Sequence, residues 1–287
     1  MIIVTGTKRS GTSMWMQVLR AAGLPSIGEA FPHKWKDTIV EANPEGFFES
    51  EYRSGVYFRT NPDPKTGDYL RSEDTELHAI KIFVPGLVRT ERAYIRSVIA
   101  TLRPWREYAH SVKRLREMEL AKSANADIIR ARAPRIPPVL EWWDENTRLL
   151  RDQSLRRYPM LIRPYADVLG NPDKAVRKAI EFIGAGDPDA AVAAVKVELR
   201  TQKDVPEPPN VGPGAIKMLD RLEEGILSGD WVDPKFIRKM LDQGKQLTEA
   251  AAEHNKKDAD RRSRSIAEAR KAREAAKAAK ANGTRTA

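Results

Sequence analysis

The chain of 287 residues contains no cysteine and only four histidines. The first absence excludes a disulfide scaffold, a Cys-ligated zinc site, an iron–sulfur cluster and a thiol nucleophile. The second leaves little for an all-histidine metal site. Long hydrophobic runs are missing too. Met1-Ile2-Ile3-Val4 is apolar only briefly before Lys8-Arg9, too short for a signal-peptide core, and Ala190 to Val195 falls far below a membrane span. The expectation is a soluble, cytoplasmic protein.

What is there is charge. Lys and Arg number 50 against 40 Asp and Glu, a formal excess of +10. Such a balance points to an anionic partner: nucleic acid, anionic lipid, or a small molecule bearing phosphate or sulfate. The excess is unevenly placed. The last 39 residues carry 11 Lys/Arg and 6 Asp/Glu, so half of it sits in a tail with no large apolar residue after Ile266. A stretch that cannot bury a face reads as a solvated helix or a disordered segment, and without aromatics it cannot stack on bases. A nucleic-acid-binding protein using this tail is therefore the weaker, non-enzymatic alternative.

Three zones follow from composition. Residues 1–202 alternate short apolar runs with helical patterns. Residues 203–214 are a Pro/Gly-rich connector. From 215 the chain reads as helical, with an extension over 215–248 and a charged tail over 249–287. Strands are expected at Ile2 to Thr5, Ala79 to Val84, Ser97 to Leu102 and Met160 to Ile162. Helices are expected after Gly11 as far as Gly23, from Arg106 to about Ala131, from Val139 to about Leu155, and from Pro172 to Ile183. Strands separated by helices predict an α/β fold, a three-layer P-loop-type parallel sheet flanked by helices, with the helical C-terminal extension appended.

The most informative stretch runs from Ile2 to Ser13. A buried strand enters a loop bounded by Gly6 and Gly11, and the loop opens a helix. The spacing is that of a phosphate-binding loop, with Thr12 where the usual lysine stands. Backbone amides and the helix N-terminus form an anion site, and Lys8, Arg9, Ser10, Thr12 and Ser13 add donors. A nucleoside triphosphatase also needs an acid at a nearby strand end to hold magnesium. Here Ser97–Leu102 is followed by Arg103 and Met160–Ile162 by Arg163, while Ala79 to Val84 contains Lys81 and ends at Pro85. Basic residues at that edge argue for an anionic ligand handled without a metal.

Arg9-Ser10-Gly11-Thr12-Ser13 resembles the 5'-phosphosulfate loop of the sulfotransferases that use 3'-phosphoadenosine 5'-phosphosulfate (PAPS). A second motif is similar to their 3'-phosphate site, an Arg ending a strand with a Ser eight residues on: Arg103 and Ser111. The strand end is where open α/β sheets bind ligands, and Ser111 lies about two turns into the next helix. Asn43-Pro44-Glu45-Gly46-Phe47-Phe48-Glu49 resembles a segment of bacterial and carbohydrate-type members. Asp167 to Gly184 looks like a later helix of the family. The loop departs from the commoner double Thr, and the likeness of Glu223-Glu224-Gly225 and Gly229-Asp230-Trp231 to a late basic segment of cytosolic members is accidental, since two Glu in place of Arg-Lys would repel phosphate. Arg200 is the better late basic candidate.

The resemblance implies a transferase moving a sulfuryl group from PAPS to a hydroxyl or amine of a small-molecule or glycan acceptor, with no metal. The rival enzyme is a metal-dependent P-loop kinase or NTPase. The donor would be held by Lys8, Arg9, Ser10, Gly11, Thr12, Ser13, Arg103, Ser111 and Arg200. Lys8 or Lys81 would stabilise the bridging oxygen; Lys81 reads equally as a snorkelling strand lysine. Glu49 is the first choice of base because the resemblance places a carboxylate there, and His33 is the second because cytosolic members use a histidine. Trp142-Trp143 reads as core and interface packing. A homo-oligomer is compatible with the sequence, and neither a nucleic-acid partner nor a membrane span is expected.

Overall fold

A computed structural model describes residues 1–31, 46–122, 136–197, 205–206 and 208–283. His33, Arg200 and the Asn43-Pro44-Glu45 part of the third motif lie outside the described residues. Five parallel strands form one sheet: β1 (Ile2–Gly6), β2 (Ser26–Ile27), β3 (Ala79–Lys81), β4 (Ser97–Leu102) and β5 (Met160–Pro164), in the order β2-β3-β1-β4-β5. The four expected strands are present. The third stops at Lys81, because Pro85 suits the first turn of a short helix, Val84–Leu87. The two-residue β2 was too short to carry a periodic signal.

The remaining helices are α1 (Thr12–Ala21), α2 (the Val84–Leu87 turn), α3 (Trp105–Lys122), α4 (Pro138–Arg156), α5 (Tyr165–Gly170), α6 (Pro172–Ile183), α7 (Pro188–Ala193), α8 (Pro213–Ser228), α9 (Pro234–Gln243) and α10 (Lys245–Gly283). Several boundaries have local chemical causes. Pro172 pre-sets the first turn of α6, Asn171 accepts from Lys174 N as its cap, and Gly184 closes it in the left-handed region. Asp233 caps α9 in the same way through Lys235 N.

The sheet is covered on both faces. On one, Ile2, Val4 and Ile99 pack against Trp15, Met16 and Leu19 of α1 and Val176, Ala179 and Ile183 of α6. On the other, Ile3, Ile80, Val98 and Ala100 meet Leu87, Tyr94, Leu149 and Tyr158. Each such side chain contributes about 1.5–3 kcal/mol relative to exposure. A third apolar cluster joins Trp105, Tyr108, Trp142 and Trp143 to Leu219, Leu222 and Ile226 of α8 and Ile237 and Met240 of α9. Both tryptophans are fully buried, as packing residues should be. Gly225 and Gly244 are required there: a Cβ would fall 2.0 Å from the Phe236 ring and 2.2 Å from the Trp143 ring. The tail continues as helix α10, whose first turns touch the core through Thr248 on Trp143 Nε1 (3.1 Å) and Asn255 on Asp144 (3.0 Å). No helix among the described residues is long and apolar enough to cross a membrane.

Candidate functional site

The parallel register sets the site. Val4 pairs with Lys81, and Gly6 pairs with Thr101, which pairs with Arg163. The carboxyl ends of β1, β3, β4 and β5 therefore open on one edge, where α/β sheets bind ligands. The loop between β1 and α1 lies at its centre.

Gly6 (φ 142°) permits a close crossing: a Cβ would meet the Thr101 carbonyl oxygen at 2.6 Å and the Ser10 hydroxyl at 2.7 Å. Ser10 is fully buried and its hydroxyl donates to the Thr7 carbonyl at 2.6 Å while lying against Thr101 Oγ1. Its side chain thus braces the loop from within. Arg9 and Gly11 adopt left-handed φ values of 66° and 101°. No side chain caps α1 and its first turn holds no acid, so its leading amides are directed to the loop mouth.

Lys81 reaches this mouth from the neighbouring strand. Its ammonium pairs with Glu49 Oε1 at 2.8 Å, donates to Ser13 Oγ at 3.4 Å, and donates to the Phe47 carbonyl. The two side chains are 2% and 9% exposed, so this is a buried pair and not a snorkelling lysine. Burial pushes the Lys81 ammonium below the usual lysine value, Glu49 opposes that, and the charges of Arg9 and Arg53 add to it. Position 12 holds Thr, and a lysine meets Ser13 from β3 instead. The Gly46–Glu49 segment is placed by Phe47 N and Phe48 N on the Ala30 carbonyl and by a bridge between Glu29 and Glu49.

On the other side of the loop Arg103, which follows β4, is 7% exposed. Its guanidinium donates to Ser111 Oγ at 3.1 Å and to the Arg9 carbonyl at 2.9 Å, and meets Glu107 at 3.3 Å. The eight-residue spacing does bring Arg103 and Ser111 together. Trp142 Nε1 donates to the Arg103 carbonyl at 2.9 Å. Burial, then the nearby charge of Arg103, pushes the Arg9 guanidinium down.

Lys8 points elsewhere. Its ammonium meets Glu141 Oε1 at 3.1 Å, and Tyr108 donates to the other oxygen of Glu141 at 2.7 Å. One turn along α4, Glu145 is buried with Oε2 unpartnered among the described residues, and burial plus the charge of Glu141 raises its carboxyl to about 8. Glu223 accepts from Trp105 N at 2.9 Å. The late acidic segment therefore lies beside the Arg103 strand end, as a cap on α3.

Sequence reasoning missed Thr101, Glu141 and Tyr165. The Tyr165 ring sits 5.4 Å from the Arg103 guanidinium and would lie 2.8 Å from a Cβ on Gly11, so it closes the loop from β5. Its signal was available: it follows the end of a strand at the ligand-binding edge. The side chain of Arg163, at the same edge, makes one hydrogen bond among the described residues, to the Ile162 carbonyl at 3.3 Å. No group of three or more His, Asp or Glu side chains among the described residues could hold a metal ion.

No protein-family model and no curated protein matches the chain. Among solved structures it is similar to the sulfotransferase domain from the Synechococcus PCC 7002 olefin synthase, at 15% identity and a TM-score of 0.36, over 88% of this chain and 94% of that one.

Proposed function

We propose that the protein is a sulfotransferase that uses PAPS to sulfate a hydroxyl or amine on a small-molecule or glycan acceptor. The observation that carries the reading is Arg103. A buried cation at a strand end holds both Ser111 and the backbone of the phosphate loop, so two anion-binding elements form one continuous surface. Two buried cations, Lys81 and Arg103, and the half-buried Arg9 converge on this edge beside an uncapped helix N-terminus. A dianionic or more highly charged nucleotide suits such a concentration of positive charge.

In this reading the amides of Gly11 to Ser13 and the Arg9 guanidinium hold the 5'-phosphosulfate, and Arg103 with Ser111 holds the 3'-phosphate. The donor supplies a sulfuryl group on a phosphate leaving group. Lys81 and Ser13 face the charge that develops on the bridging and transferring oxygens. Glu49, paired with Lys81, accepts the acceptor's proton. Lys8, engaged by Glu141, braces the loop from outside. His33 and Arg200 keep the roles of second base candidate and late phosphate ligand.

Calorimetry with 3',5'-bisphosphoadenosine and with ATP plus magnesium tests the reading. Binding of the bisphosphate without metal is expected. Binding of ATP with magnesium and not of the bisphosphate would replace the reading with a P-loop kinase or NTPase.

A further inference from the structure

A ring of contacts closes beside the donor edge. Lys8 and Arg9 are neighbours in the phosphate loop, and Glu141 and Trp142 are neighbours at the start of α4. The Lys8 ammonium meets Glu141 Oε1 at 3.1 Å. Trp142 Nε1 donates to the Arg103 carbonyl at 2.9 Å. The Arg103 guanidinium then donates to the Arg9 carbonyl, also at 2.9 Å, and so returns to the loop. One dipeptide of α4 thus grips both the loop and the β4 strand end, which also grip each other.

The α4 side of this ring is firmly held. Trp142 and Tyr108 are fully buried in the third apolar cluster. Tyr108, from α3, donates to Glu141 Oε2 at 2.7 Å. An acid in the first turn of a helix is favourable for the helix alone. Here both oxygens of that acid are engaged by side chains from two other elements. The Glu141 side chain is 12% exposed and that of Lys8 is 55%. Glu141 is therefore the fixed end, and the long lysine is the tether that brings the loop to it.

The loop and the Arg103–Ser111 pair are the two places that receive phosphates in the sulfotransferase reading above, on which this inference rests. A ligand with two anionic groups gains from both only when the subsites stand at the separation its own skeleton sets. We infer that Glu141 is a positioning residue which, through Lys8, sets the separation of the two phosphate subsites. It thereby selects a nucleotide phosphorylated at both the 3' and the 5' position over one that carries a single phosphate.

The test titrates the full chain and E141Q with 3',5'-bisphosphoadenosine, 5'-AMP and 3'-AMP by ligand-observed NMR. The unaltered chain should bind the bisphosphate about tenfold or more above either monophosphate. E141Q should weaken the bisphosphate about fivefold, the size of one ion pair, and each monophosphate by less than about twofold. Charge alone predicts the reverse, because removing a carboxylate beside an anion site strengthens anion binding. In a K8M background E141Q should weaken nothing further, since the tether is already gone. This cycle decides the matter where the monophosphates bind too weakly to compare. Thermal melting confirms folding, and E141D, one methylene short of Lys8, replaces E141Q should that variant not fold. Alike binding of all three nucleotides by the unaltered chain overturns the inference. So does bisphosphate binding in E141Q that is unchanged or tighter, an equal loss for all three, or a loss that persists in K8M. Each of these leaves the donor site standing. Failure of the unaltered chain to bind the bisphosphate removes the sulfotransferase reading, and this inference with it.

Discussion

The two ends of the loop hold their cations differently. At the β3 end, Lys81 is 2% exposed and meets a carboxylate at 2.8 Å. At the β4 end, Arg103 spends its guanidinium on a hydroxyl and a backbone carbonyl, with Glu107 at 3.3 Å. The first is a nearly neutral pair whose members depend on each other. The second also meets a carboxylate, Glu107, but at a longer distance, and divides its donors among several partners. A closed pair suits proton and charge handling at the reacting atoms, and a cation that shares its donors suits holding a phosphate that arrives and leaves.

The largest effect should come from breaking the closed pair. Lys81→Met leaves Glu49 buried without its partner, which costs about 3–5 kcal/mol. Urea unfolding should show that loss, and the double variant with Glu49→Gln should recover much of it. Sulfuryl transfer by the single variant should fall about a hundredfold or more. Unchanged stability in Lys81→Met would mean that the two side chains do not depend on each other.

Glu145 sharpens the contrast from the Arg103 side. Its folded value of about 8 lies above the 4.5 of an ordinary glutamate. The unfolded chain therefore gives up this proton first. Stability should decline as pH rises from about 4.5 through about 8, on the order of a few kcal/mol for this group. Glu145→Gln should flatten that decline in melting curves taken at pH 5, 7 and 8.5, values chosen to span roughly that window. An equal decline in the variant would assign the slope to other groups.

Arg103→Ala should weaken 3',5'-bisphosphoadenosine binding about tenfold to a hundredfold, the worth of one or two charged hydrogen bonds. Calorimetry reads this directly, and unchanged affinity would sink the 3'-phosphate assignment. The smallest effect is expected furthest from both ends. Removing residues 265–287 should change stability by about 0.5 kcal/mol or less, because the core contacts of α10 come from its first turns. A larger loss would show that the tail supports the Trp143 cluster.

Much of this was legible in one dimension. The strand–loop–helix punctuation by Gly6 and Gly11 is local chemistry, and it appears where expected. The spacing of Arg103 and Ser111 is helical arithmetic, and the two side chains meet at 3.1 Å. Glu49, Lys81 and Ser13 were named separately, but nothing in their spacing says that they touch. Lys8 was given a place near the transferring group, and its contact with Glu141 bridges 133 positions.

The sequence by itself determined the elements, the glycine-bounded loop and the cationic strand ends, because hydrophobic period, glycine conformation and helix spacing act over a few residues. Only the tertiary structure decided which groups each cation meets. Strand order sets Lys81 beside Val4 and so against Ser13, turns Lys8 toward α4, and brings Tyr165 over Gly11. Those pairings depend on which strands are neighbours, and that is settled by burying two faces of one sheet at once, a property of the whole chain and of no single stretch of it.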